Sequence, residues 1–140
     1  MNTTVLVDST TRDALARTRD RYGVASMDDA IRRVLRDATP TASQLWRKHK
    51  RQASQVCVEH GVTRLIAFGS RCRDDRHPGS DLDLLVEFPS DSGMRGFFDL
   101  RDKLSNVFGV VVDMGELGAA NDRLLKHIRE EGVAFVGPPP

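Results

Sequence analysis

The segment LIAFGSRCRDDRHPGSDLDLLVEF, residues 65–88, decides the reading of this chain: two apolar runs enclose a Gly69-Ser70 pair and, ten residues later, Asp81-Leu82-Asp83. Gly69 closes the first run, and a residue without a Cβ lets the backbone turn sharply and approach a ligand. Ser70 then offers a hydroxyl and a backbone N–H at the start of a short helix, where partial positive charge suits phosphate. Side chains alternate along a strand, so Asp81 and Asp83 share one face while Leu82 and Leu84 point into a core. About 7 Å apart along the strand, the two carboxylates repel each other unless a cation lies between them. Mg²⁺ suits that position, because it takes oxygen from one or two carboxylates and completes its shell with water and substrate phosphate. Downstream, VFGVVVDMGEL (residues 107–117) places Asp113 at the end of a short valine-rich strand, with Val111 on its own face. That strand can pair beside the one carrying Asp81 and Asp83, so that three carboxylates serve two metal ions. The layout is the one needed to hold a metal-bound nucleoside triphosphate. The plain alternative for Pro78-Gly79-Ser80-Asp81 is a solvated turn leading into a strand.

Residues 44–137 resemble the minimal nucleotidyltransferases of the DNA polymerase beta superfamily, whose motif is Gly-Ser, ten residues, Asp-x-Asp and a later Asp. Gly69, Ser70, Asp81, Asp83 and Asp113 fill those positions, and HPGSDLDLLVEF (residues 77–88) is the motif's tail. Cys72 stands where the family usually has alanine, and Asp74-Asp75 adds an acidic pair to the loop. The resemblance implies an α+β fold, a small mixed β-sheet with flanking helices. It implies Asp81, Asp83 and Asp113 as catalytic residues and ligands of Mg²⁺, ATP as substrate, and Gly69, Ser70 and Ser80 as nucleotide-binding residues. It also implies transfer of AMP to a hydroxyl, a tyrosine of a HEPN-domain toxin, with this chain as the antitoxin. Two other functions fit the same residues. One is a DNA-binding, dimerising autoregulator built on a non-catalytic nucleotidyltransferase fold; the other is a nucleotidyltransferase toxin acting on tRNA, with Arg47 to Arg51 (RKHKR) as the RNA contact.

Residues 1–38 read differently. Thr3 to Val7 alternate as a short strand, Asp8 or Ser9 can cap a helix bearing Ala14, Leu15 and Tyr22, and Gly23 ends it. Ser26 caps a second helix with Ala30, Ile31, Val34 and Leu35 on one buried face. The order strand, helix, helix resembles the ribbon-helix-helix domains of antitoxins and repressors, in which two strands pair across a dimer and enter the DNA major groove. With Val5 and Val7 inward, the outward set is Asn2, Thr4 and Leu6, without a basic residue. A homodimer through this segment is expected, and DNA contact is poorly supported.

Residues 39–43 are expected as a linker, interrupted by Pro40. After it, the pattern predicts a helix over 42–60 carrying Leu45, Trp46, Ala53, Val56 and Cys57 inward, with Gly61 past its end. Strands follow at 64–68, 82–88, 110–113 and 133–136, with helices near 96–108 and 121–131 and a disordered tail at 138–140. His60, His77 and His127 make no ligand cluster.

Twenty-one basic against twenty acidic side chains leave a net charge of +1, which excludes a general nucleic-acid coat. The balance is uneven, since residues 61–140 hold ten basic and thirteen acidic groups, net −3. The 140 residues suffice for one domain with a small appendage. No apolar run reaches the roughly 18 residues of a membrane span, and no basic-then-apolar leader opens the chain, so a cytoplasmic protein is expected. Cys57 and Cys72 lack metal-ligand spacing and are expected as reduced thiols.

Overall fold

The computed structural model describes residues 3–89 and 93–140. Four strands, β1 (Arg64–Phe68), β2 (Leu82–Glu87), β3 (Val112–Glu116) and β4 (Val133–Val136), form one sheet in the order β3-β2-β1-β4. β1 runs antiparallel to both β2 and β4, whereas β2 and β3 are parallel. A parallel pair needs a crossover, and the helix Gly93–Phe108 between β2 and β3 supplies it. The sheet is therefore mixed and the fold α+β, as expected.

The helices are α1 (Ser9–Tyr22), α2 (Met27–Ala38), α3 (Ala42–Glu59), α4 (Gly93–Phe108) and α5 (Asp122–Glu131). α3 opens with a capping box, in which Thr41 accepts from the Gln44 N–H and the Gln44 side chain accepts from the Thr41 N–H. It closes at Gly61, whose φ of 69° is the left-handed conformation that ends helices. α3 and α4 cover one face of the sheet. Leu45, Ala53 and Cys57 from α3 and Leu100, Leu104 and Phe108 from α4 pack on Leu65, Ala67, Leu82, Leu84, Val86, Val112, Met114 and Phe135. Trp46 is a packing residue, stacked on Phe135 at 4.6 Å between ring centroids.

α5 covers only part of the other face, where Ile66, Leu85 and Ile128 form a smaller cluster. Along β2 this makes Leu84, Leu85 and Val86 buried in succession, and the alternation of the strand survives only at its start, where Asp81 is exposed and Asp83 half-buried.

Three expectations need correction. The third strand begins at Val112, not Val110, and Asp113 is its second residue, not its last. Parallel pairing with β2 starts at Leu82 opposite Val112, and Val111, 67% exposed, precedes the ladder. At the N-terminus, Thr3 to Val7 form no strand in the single chain, since among the described residues nothing pairs with them; Val5, Leu6 and Val7 are all exposed, and Asn2 lies outside the described residues. The two caps are as expected, with Asp8 accepting from the Thr11 N–H and Ser26 from the Asp29 N–H. The buried face of α2 is not: Ala30 alone is buried, while Ile31, Val34 and Leu35 are 38–41% exposed. A two-helix hairpin lacks the surface to cover its own apolar stripe.

The connector between α2 and α3 is shorter and better packed than a linker. It comprises Thr39, Pro40 and Thr41, and Thr39 is 2% exposed. Residues 138–140 carry neither helix nor strand, and Pro140 lies half-buried beside Ile66, Leu125 and Ile128.

Candidate active site

Each group of the motif is brought to one end of the sheet by the register. Phe68 stands opposite Asp83, and Asp83 stands opposite Asp113. The residue after Phe68 is Gly69, with φ 78° and ψ −159°, a combination open to glycine. A Cβ there would overlap Oδ2 of Asp83 and lie 3.1 Å from its Cγ. Glycine is therefore required both by conformation and by the closeness of the Asp83 carboxylate. Ser70 begins a single 3₁₀ turn, Ser70–Cys72, directly after Gly69.

Asp83 is the most perturbed carboxyl of the site. Burial, then repulsion from Asp113 and from Asp81, pushes its pKa up to about 6, with the Arg73 guanidinium acting in the opposite sense. Arg73 is held by Asp75 at 3.0 Å and by Glu131 of α5 at 2.9 Å. The three carboxylates thus form a field of negative charge that a cation would relieve. Among the described residues no three His, Cys, Asp or Glu side chains converge closely enough to enclose an ion by themselves. Oxygen donors that hold a metal only together with water and phosphate are what Mg²⁺ takes; Asp81, Asp83 and Asp113 fit that ion and do not form an all-protein cage.

Ser80 is placed differently from the other nucleotide-binding candidates. It is buried, its hydroxyl accepts from the His77 N–H at 2.9 Å, and its own N–H donates to the His77 carbonyl at 2.8 Å. It braces the turn that delivers Asp81. His77 accepts from the Gly79 N–H through Nδ1, and His60 is tied to Asp99 at 2.8 Å on the far side of the sheet. Burial raises the thiols of Cys57 and Cys72 to about 11, so both stay protonated near neutrality.

On the β3 side of the carboxylates lies a groove of about 790 Å³ lined by Asp81, Asp113, Phe98, Arg101, Asn106 and Val111. Gly69 and Ser70 lie on the opposite, β1 side of Asp83. Sequence reasoning missed the arginines of the intervening loop. Arg71, Arg73 and Arg76 all make side-chain hydrogen bonds there. Their signal was available, since three arginines within six positions of a phosphate-friendly Gly-Ser is a local excess of positive charge.

Residues 49–135 match the nucleotidyltransferase domain family. The chain belongs to that family, and its fold is that of a minimal nucleotidyltransferase. A "Putative protein adenylyltransferase" of Methanocaldococcus jannaschii is 34% identical over 90 residues, covering 64% of this chain and 89% of the relative. Among solved structures, one named "putative minimal nucleotidyltransferase" superposes with a TM-score of 0.57 at 27% identity, over 69% of this chain and 97% of that one. An MNT antitoxin in complex with the tri-AMPylated HEPN toxin of Shewanella oneidensis matches with a TM-score of 0.50, at 17% identity, over 66% of this chain and 72% of that one. At that identity the likeness is one of fold. The family match begins beyond α1 and α2, in α3.

Proposed function

We propose that this nucleotidyltransferase moves AMP from ATP to a tyrosine hydroxyl of a HEPN-type toxin and so acts as its antitoxin in the cytoplasm. The observation that carries the reading is the alignment of Asp83 with Asp113 across two parallel strands, beside a Gly69 backbone that approaches the same carboxylate. The relative's name as a protein adenylyltransferase and the AMPylated toxin held by a structural neighbour support the choice of donor and acceptor.

In this mechanism the Gly69 and Ser70 N–H groups and the Ser70 hydroxyl hold the β- and γ-phosphates. Mg²⁺ on Asp81, Asp83 and Asp113 would supply charge neutralisation and Lewis acidity at the α-phosphate. The acceptor hydroxyl approaches from the β3 side, opposite the phosphate-holding turn, and Asp113 takes its proton or passes it to water. The phenolic oxygen bonds to the α-phosphorus, the bond from that phosphorus to the bridging oxygen breaks, and pyrophosphate leaves with the electron pair. The one tyrosine of this chain, Tyr22, is in α1, under the guanidinium of Arg33, so the acceptor comes from another molecule.

The hairpin α1–α2 is read as the dimerisation element. Its open apolar stripe and the unpaired backbone of residues 3–7 are both completed by a second copy.

Incubation with ATP, Mg²⁺ and a HEPN ribonuclease encoded beside this chain tests the reading. The toxin gains whole AMP units in intact mass and loses ribonuclease activity, and Asp83→Asn blocks both. Equal neutralisation by the Asp83→Asn protein, without a mass change, would show inhibition by binding alone.

A further inference from the structure

Arg71 directly follows the Gly69-Ser70 pair and is 2% exposed. A guanidinium in such a place has lost most of its hydration and needs partners of good geometry. Among the described residues it has no carboxylate within ion-pair distance. Its partners are two backbone carbonyls instead: Nε donates to Ser80 at 2.9 Å and Nη1 donates to Pro40 at 2.9 Å. Burial lowers its pKa, and the nearby Asp81 carboxylate favours the charged form.

Arg76, further along the loop, also donates to two backbone carbonyls, with the Asp74 carboxylate 3.7 Å from its Nη1. Its Nε donates to the Thr39 carbonyl at 2.7 Å and its Nη1 to the Arg73 carbonyl at 3.1 Å. Two arginines of the motif loop therefore grip consecutive carbonyls of the α2–α3 connector. Thr39 in turn donates its hydroxyl to the Leu35 carbonyl at 2.6 Å, which ties the connector to the end of α2.

We propose that Arg71 is a positioning residue for Asp81: its fork fixes the Ser80 carbonyl against Pro40, and so sets the Asp81 carboxylate where metal and nucleotide need it. The connector from the N-terminal hairpin is thereby part of the frame of the metal site. Ser80 is one residue before Asp81, and it is restrained from three directions, by Arg71 on its carbonyl and by His77 on its hydroxyl and its N–H. A planar fork suits this task and an ammonium does not, because two acceptors in different directions must be held at once. The proposal rests on Asp81 as a metal ligand.

The test is ATP binding by calorimetry, in the full chain, across a series of Mg²⁺ concentrations. Arg71→Lys keeps the charge and loses the fork. The half-saturating Mg²⁺ concentration is expected to rise by about tenfold, as it does when an outer partner of a metal ligand is removed, while ATP affinity at saturating Mg²⁺ stays within about threefold. Ser80→Ala removes a brace of the same turn without disturbing the buried cation and moves the Mg²⁺ requirement in the same direction; it decides the matter should Arg71→Lys fail to fold. Asp81→Asn is measured in parallel. A rise for Asp81→Asn with no change for the folded Arg71 and Ser80 variants overturns the positioning role and leaves the Asp81 assignment standing. No change for Asp81→Asn overturns the assignment and the proposal together.

Discussion

At the scale of single residues, Asp83 is the carboxyl whose proton affinity the fold raises most clearly. Its pKa in the folded protein, about 6, lies above the ordinary carboxylate value of 3.8, so the fold binds this proton more tightly than the unfolded chain does. The stability that results is fully present below about pH 4 and is lost as pH rises through 6. Thermal melts of the metal-free protein should show this loss, Mg²⁺ with ATP should offset it at pH 7, and Asp83→Asn should remove it. Asp83→Asn is expected to raise the stability of the metal-free protein at pH 7 by about 1 kcal/mol after allowance for solvent screening, while ATP turnover is abolished. Gly69→Ala is expected to cost nucleotide affinity more than tenfold, since the added Cβ and the Asp83 carboxylate cannot occupy the same place; an unchanged ATP affinity would remove Gly69 from the site. That Gly69, Asp81 and Asp83 come to one end of the sheet was legible in the sequence because they sit at fixed offsets within a short strand-turn-strand unit, and Asp113 joins them because a valine-rich run beyond α4 pairs beside β2. Arg71 was not legible, because its two acceptors are backbone carbonyls 31 residues before it and 9 after it, and a carbonyl leaves no mark on residue type.

At the scale of elements, strands and helices around the site were readable from periodicity, and β1 and β4 fall where the pattern puts them. The failures have physical causes. β3 is shifted because its limits are set by its partner β2, beginning at Leu82 opposite Val112, and not by its own run of valines. The expected N-terminal strand is absent because extended backbone becomes a strand only beside another one. Within the core, α4 is the crossover on which the position of β3, and so of Asp113, depends. Leu104 of that helix is fully buried in the cluster that contains Val112 and Met114. Leu104→Ala should therefore destabilise the protein by about 2–5 kcal/mol in urea unfolding and reduce activity at temperatures well below the melt. Full activity in a measurably destabilised variant would show that α4 supports the fold without setting the site.

For the whole molecule, the family match covers residues 49–135, and α1 and α2 lie outside it. The apolar residues left open on α2, Ile31, Val34 and Leu35, are expected to be covered by a second copy. Sedimentation of the full chain should give a dimer at micromolar concentration, and Ile31→Glu with Leu35→Glu should give a folded monomer; a monomeric wild-type chain contradicts the assignment. No helix among the described residues is long and apolar enough to cross a membrane. The central claim is that this site transfers the α-phosphoryl part of ATP, as a nucleotide, to a protein hydroxyl. It is tested most directly by following two labelled forms of ATP, one marked at the α-phosphorus and one at the γ-phosphorus, in the presence of Mg²⁺ and the HEPN acceptor. The account predicts that the α label appears on the acceptor tyrosine, that the γ label appears only in pyrophosphate, and that Asp83→Asn stops both. A γ label on the acceptor, or α-label transfer undiminished in Asp83→Asn, would contradict it.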